Sequence, residues 1–242
     1  MTTMILDGIA LGGKSDEELE GLFWWHYDKI PWSFDVKKAV VCLDSPDSSK
    51  RVKKTLKNVG YKANRRPATL LYLDSFQRLI DSLESFGIET VVSPIMAEAD
   101  DCICDIVATN PNIEYKIYTT DKDLCLVQYL YPNAKTFVWE RTSQSFMSAQ
   151  EYVLLKFEVG LESFQDYLAL VGDRCDDWAG MKGFGKVAFK KFLELENCER
   201  EKFLEKKGFS LPFARFIVTP CTFAELKEVQ EAQEAQEARA LN

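Results

Sequence analysis

Short apolar runs that end on carboxylates recur along this chain, and no other feature of the sequence limits the fold as strongly. Residues 4–6 are followed by Asp7, and residues 40–43 by Asp44. A run at 88–93 leads through Pro94 to Glu98, Asp100 and Asp101, and a run at 115–120 leads to Asp121 and Asp123. Helical patterns at 16–30, 69–86 (stopped at Gly87) and 98–109 lie between the runs, and a further strand is expected at 135–139. Strands alternating with helices predict an α/β fold with a mostly parallel sheet flanked by helices on both faces. Parallel strands place their carboxyl ends on one edge, where sites in such sheets lie. The four acidic clusters are therefore expected to converge there.

A lone aspartate after a strand commonly caps a turn or helix. Four clusters together point instead to a shared cation, because converging carboxylates repel unless protonated or bridged. The donors are hard oxygens, which suits Mg²⁺ or Mn²⁺. His26 is the single histidine, and the seven cysteines form no CxxC pair. This argues against zinc and against a Ser-His-Asp triad. The odd cysteine count and the apolar neighbours of Cys42 predict buried, reduced thiols.

From about residue 148 the pattern becomes helical. Gly172-Asp173-Arg174-Cys175-Asp176-Asp177 supplies a fifth acidic cluster, with Asp173 and Asp176 on one side of a turn. A glycine-punctuated turn with Gly183, Gly185 and Lys186 follows, of a kind whose amides cradle phosphate. Residues 224–241 read as an exposed, Ala/Glu/Gln-rich helix.

The net charge of −8 argues against nucleic acid as a partner until its distribution is considered. Residues 45–66 carry eight Lys or Arg against Asp47 alone, and Arg51, Lys54 and Lys57 would share one helical face. Such a segment suggests phosphate contact. Tyr61, Lys62 and Arg65 place an aromatic ring beside two cations, a set suited to stacking a base and gripping its phosphate. The start of the chain lacks a basic-then-apolar leader, and no apolar run is long enough for a membrane span. A cytoplasmic location is expected.

In order, Leu6-Asp7-Gly8, Leu43-Asp44, Tyr61-Lys62-Ala63-Asn64-Arg65, Glu98-Ala99-Asp100-Asp101, Thr120-Asp121-Lys122-Asp123-Leu124 and Gly172-Asp173 resemble the 5′→3′ exonuclease and flap endonuclease family. That family includes the polymerase I 5′-nuclease domain and phage exonucleases. The resemblance implies a PIN-like core over 1–147 with a basic helical arch at 45–66. It also implies a helical subregion over 148–223 with a helix-three-turn-helix element at 173–195, leaving an acidic tail at 224–242. It assigns Asp7, Asp44, Glu98, Asp100 and Asp101 to one part of a two-ion Mg²⁺ or Mn²⁺ centre, and Asp121, Asp123, Asp173 and Asp176 to the other. Lys62 and Arg65 would face the scissile phosphate, and Tyr61 would stack on the terminal base. Arg51, Lys54, Lys57, Gly183, Gly185 and Lys186 would contact DNA, with K⁺ at the glycine turn in some relatives.

The implied substrate is DNA with a 5′ flap, overhang or free 5′ end, or the RNA of a hybrid. Replication proteins would be neighbours in the nucleoid of a bacterial or phage-infected cell. A branched-DNA-binding module of the same fold and a PIN-type ribonuclease are the alternatives. The chain departs from the family pattern at Cys175, Asp177 and Ala179, where a small hydroxyl, an amide and a proline are usual.

Overall fold

Thr2–Asp7 (β1) is buried at every residue, the signature of a strand covered on both faces. It pairs in parallel with Val36–Leu43 (β2) on one side. Beyond β2 lies Glu89–Val92 (β3), and on the other side of β1 lies Glu114–Thr119 (β4). Ala134–Glu140 (β5) extends the parallel set, and Ser145–Ser148 (β6) closes that edge antiparallel. The order is β3-β2-β1-β4-β5-β6. A computed structural model provides this description for residues 2–8, 19–31, 36–47, 51–56, 60–62 and 69–240.

The helices of the described residues are α1 (Leu19–Tyr27), α2 (Val52–Thr55), α3 (Leu70–Ser85), α4 (Ala99–Thr109), α5 (Cys125–Leu130) and α6 (Ala149–Phe157). They continue with α7 (Phe164–Val171), α8 (Lys186–Leu193), α9 (Asn197–Lys207), α10 (Leu211–Val218) and α11 (Phe223–Ala240). No helix among these is long and apolar enough to cross a membrane.

Strand side chains alternate between two cores. Met4, Leu6, Val41, Leu43 and Tyr118 pack with Phe23, Leu79 and Leu83 of α1 and α3. Ile5, Val40, Cys42 and Ile117 pack with Cys102, Ile103 and Val127 of α4 and α5. Each fully buried Leu, Ile or Phe contributes about 1.5–3 kcal/mol, so the apolar runs secure the sheet that carries the carboxylates. A third core of Val153, Phe164, Leu168, Phe189, Phe192 and Ile217 joins the helices beyond β6. Cys42, Cys102, Cys104, Cys125 and Cys221 are buried as expected; Cys175 and Cys198 are exposed, and all seven are free thiols.

In the basic segment the described helix, α2, has four residues, with Arg51 at its N-cap and Lys54 within it. Val52 is drawn into an apolar contact with Ala97, Cys221 and Leu226. Lys57 and Arg65 lie outside the described residues.

Candidate metal and nucleic-acid site

The strand order reverses around β1, with β2 on one side and β4 on the other. This switch point opens a crevice at the strands' carboxyl ends. Asp7 ends β1 and accepts a 2.8 Å hydrogen bond from Thr119 Oγ1 at the end of β4. Asp44 follows β2; its Oδ1 accepts from the Ala99 amide at 2.7 Å and pairs with Arg51 Nη2 at 3.2 Å. Asp121 caps the 3-10 turn 122–124 by accepting from Asp123 N at 3.0 Å. These three carboxylates stand at the strand ends along the crevice, outside the two groups that could each hold an ion.

Two tighter groups lie within it. Glu98, Asp100 and Asp101 each present an oxygen within 4.8 Å of the others, and so do Asp123, Asp173 and Asp176. The first group follows from the α4 capping box, in which Glu98 and Asp101 exchange backbone–carboxylate bonds. The second joins the turn after β4 to the loop after α7. That loop is closed by Asp173 N to Trp178 O at 2.7 Å and Trp178 N to Asp173 O at 2.9 Å. It also requires two glycines: a Cβ on Gly172 (φ +96°) would lie 2.8 Å from the Ala179 carbonyl, and one on Gly180 (φ +63°) 2.5 Å from Gly172 N.

Tyr61 and Lys62 bridge the two groups. The Tyr61 hydroxyl lies 2.8 Å from Glu98 Oε2 and 3.1 Å from Asp176 Oδ2, with one proton to give to either. Lys62 Nζ lies 2.6 Å from Glu98 Oε2 and 3.5 Å from Asp176 Oδ2, and Lys62 N donates to Asp176 O at 2.9 Å. Lys62 takes a left-handed backbone conformation (φ 51°), which costs a side-chain-bearing residue about 1–2 kcal/mol. Such strain concentrates at functional sites.

The electrostatics divide the carboxylates into two kinds. Burial would raise the Glu98 pKa, but Lys62, Arg51 and Lys53 hold it well below the usual range. Asp100 is pushed well above its ordinary value by burial and by Asp101 and Glu98. Asp123 is raised by burial against the pull of Lys122, with Asp121, Asp176 and Asp173 adding to the rise. Each group thus contains one carboxyl whose charge calls for a further cation. Asp123 is 5% exposed, and its Oδ1 has no hydrogen-bond partner. An orphaned buried carboxylate oxygen among hard oxygen donors fits a divalent ion.

Some expected roles change. Tyr61, 4% exposed, packs into the third core, so its ring is not presented to a terminal base in this conformation. Arg51, 6% exposed, pairs with Glu98 at 2.6 Å and with Asp44, which makes it an internal counter-ion rather than a DNA contact. Asp101 is committed to several donors: Oδ1 accepts from Cys221 N at 2.8 Å and Lys53 Nζ at 3.3 Å, and Oδ2 from Glu98 N at 3.0 Å. It ties α4 to the chain before α11, and a cation there would compete with three donors. Lys54 is half-buried on α2.

Sequence reasoning gave Lys53, Thr119 and Lys122 no role. Lys53 Nζ also donates to Thr219 O at 2.6 Å. Lys122 had a signal, a cation flanked by two aspartates after a strand.

Beyond the acidic loop, Gly183 and Gly185 are exposed, and Gly185 precedes α8 without a side-chain cap. The first-turn amides of α8 therefore lack intrahelical acceptors. Lys186 and Lys190 pair with the exposed Glu158 at 2.5 and 2.9 Å, contacts weak enough for phosphate to replace.

Known proteins resemble the chain in both sequence and fold. The 5′–3′ exonuclease of Aquifex aeolicus is 32% identical over 172 residues, covering 68% of this chain and 56% of the relative. Flap endonuclease Xni of Shewanella halifaxensis is 30% identical over 141 residues, covering 56% of this chain and 52% of the relative. The chain spans about half the length of these curated relatives. Among solved structures, T5 5′-exonuclease with zinc ions bound superposes with a TM-score of 0.62 at 20% identity, covering 96% of this chain and 98% of that one. Bacteriophage T5 flap endonuclease, in a pseudo-enzyme–product complex with DNA and metal ions, gives 0.62 at 19% identity over 91% and 89% of the two chains. These likenesses show a shared fold. Residues 26–158 match the family model of the 5′–3′ exonuclease N-terminal, resolvase-like domain. With the acidic groups gathered at the switch point of the fold those structures share, the chain belongs to the 5′–3′ exonuclease family.

Proposed function

We propose that this protein is a structure-specific 5′ nuclease that hydrolyses DNA phosphodiesters at flaps, overhangs or free 5′ ends, in replication or repair. One observation carries the reading: two buried acidic groups, each holding a carboxyl with disfavoured charge, meet at the switch-point crevice through Tyr61 and Lys62. Glu98 and Asp100 would hold one divalent ion, and Asp123, Asp173 and Asp176 the other. Asp7, Asp44 and Asp121 add negative charge around them, and the hard oxygen set favours Mg²⁺ or Mn²⁺. When bound, the pair supplies an activated water and a counter-charge for the leaving 3′ oxygen.

The chain's own groups do the rest. Tyr61 sets its hydroxyl between Glu98 and Asp176, within hydrogen-bond reach of each. Lys62 places positive charge where the two groups meet, positioned to offset charge building on the phosphoryl oxygens, and Arg65 would act beside it. Duplex phosphates would rest on the first-turn amides of α8 and on Lys186, with Gly183 and Gly185 allowing close approach and K⁺ as a further ligand of the turn.

The test uses 5′-labelled flap, nicked and single-stranded DNA, with a matched RNA–DNA hybrid, in Mg²⁺ and in excess EDTA. Cleavage near the 5′ junction in Mg²⁺ alone is expected. Tight branched-DNA binding without cleavage would favour the binding module, and cleavage confined to RNA strands the ribonuclease.

A further inference from the structure

Lys122, like Lys62, pairs with carboxylates from two segments of the chain. Lys53 is committed to a backbone carbonyl, Thr219 O, at 2.6 Å as well as to Asp101. Lys122 has carboxylates as its partners. Its side chain crosses from the turn after β4 to the loop after α7 and places Nζ 2.5 Å from Asp173 Oδ2 and 3.1 Å from Asp123 Oδ1. The second contact balances charge without making a hydrogen bond, so Asp123 Oδ1 stays orphaned in a residue 5% exposed. An ammonium that leaves a buried lone pair unused occupies the cluster's cationic position incompletely.

We propose that Lys122 is an exchangeable internal counter-ion of the Asp123–Asp173–Asp176 group: a divalent cation enters there by displacing the ammonium, which returns when the cation leaves. This rests on the reading of that group as a metal centre. The physical reason is mutual exclusion, since an ammonium and a divalent ion sharing two carboxylates a few ångströms apart repel strongly in a buried site. The ammonium stabilises the fold before loading and weakens the site for its ion by the same contact. The relevant atoms lie on two segments, the turn 122–124 and Asp173 at the N-cap of the 3-10 turn 174–176, so exchange also relaxes a cross-link between the sheet and the helical half.

The experiment is a calorimetric titration of Mn²⁺ into metal-free protein without DNA, beside thermal melts in EDTA. It compares wild type, Lys122→Met, Lys122→Arg and Asp173→Asn. Lys122→Met should melt lower in EDTA and bind Mn²⁺ at this half-site at least about tenfold more tightly. Lys122→Arg keeps the charge and should bind no more tightly than wild type, while Asp173→Asn should lose the half-site. If Lys122→Met does not fold in EDTA, Lys122→Gln replaces it with the same expectation of tighter binding. Unchanged or weaker Mn²⁺ binding in the folded, uncharged variant would overturn the exchange while Asp173→Asn still upheld the metal centre. No Mn²⁺ uptake by wild type, and no change in Asp173→Asn, would overturn both.

Discussion

Asp100 and Asp123 meet the same electrostatic problem in two different groups. Burial and neighbouring carboxylates raise both above the ordinary aspartate range, although Lys122 opposes the rise at Asp123. A carboxyl with a raised folded-state pKa binds more protons folded than unfolded, so its contribution to stability is present at low pH and is lost as pH rises toward that folded value. Glu98 has the opposite sign: its depressed pKa contributes stability above the ordinary glutamate range and loses it on acidification. Over the interval above the ordinary carboxylate range the Glu98 contribution is constant, so Asp100 and Asp123 set the slope. The melting temperature in EDTA is expected to fall across that interval. Asp123→Asn should flatten the fall. A slope unchanged by Asp123→Asn in pH-dependent melts would contradict the assignment.

The loop between Gly172 and Gly180 is the element that holds Asp173 and Asp176 in place. Gly180→Ala meets both a positive φ and a backbone collision, with a Cβ 2.5 Å from Gly172 N and 2.6 Å from Leu170 O. Gly208, which ends α9, has a similar φ of +62° but open space around its Cβ position. Gly208→Ala should therefore cost about 1 kcal/mol, and Gly180→Ala at least about 2 kcal/mol together with weakened Mn²⁺ binding. Urea melts and the same titration check this; equal costs with intact metal binding would mean that the loop does not position the carboxylates. At this scale the sequence was most legible where burial sets the pattern. The runs at 4–6 and 40–43 lie within β1 and β2 because a doubly covered strand has to be apolar throughout, and β4 shows through its buried Tyr115, Ile117 and Tyr118. The edge strand β6, four residues long with Ser at both ends, carries no such signal and was not anticipated. The basic segment misled because positive charge in sequence does not distinguish a solvated cation from a buried counter-ion. Arg51 and Lys53 turn inward to carboxylates brought from 98 and 101, a pairing fixed only by the tertiary fold. Of the acidic set, the fold gathers Glu98, Asp100 and Asp101 in one group and Asp123, Asp173 and Asp176 in another, with Asp7, Asp44 and Asp121 outside both, and sequence order alone does not draw that line. It did not show that Asp101 would be consumed by the Cys221 amide, because that donor lies 120 positions away along the chain.

Across the molecule, a chain of net charge −8 concentrates carboxylates in one crevice and balances them with Arg51, Lys53, Lys62 and Lys122. The metal-free protein is thereby held folded with its cation positions partly filled from within, and the exposed glycine turn and α8 remain at the surface. The central claim is that the seam between the two acidic groups is where phosphodiester cleavage occurs. Single-turnover cleavage of a 5′ flap at saturating enzyme in Mg²⁺ tests it most directly, comparing wild type with Asp176→Asn and Lys62→Ala, with Ca²⁺-supported DNA binding measured in parallel. Both variants are expected to retain binding and to lose about 10²–10³ in rate, the usual size of a transition-state contact. Wild-type rates in both variants at saturation would place the chemistry elsewhere.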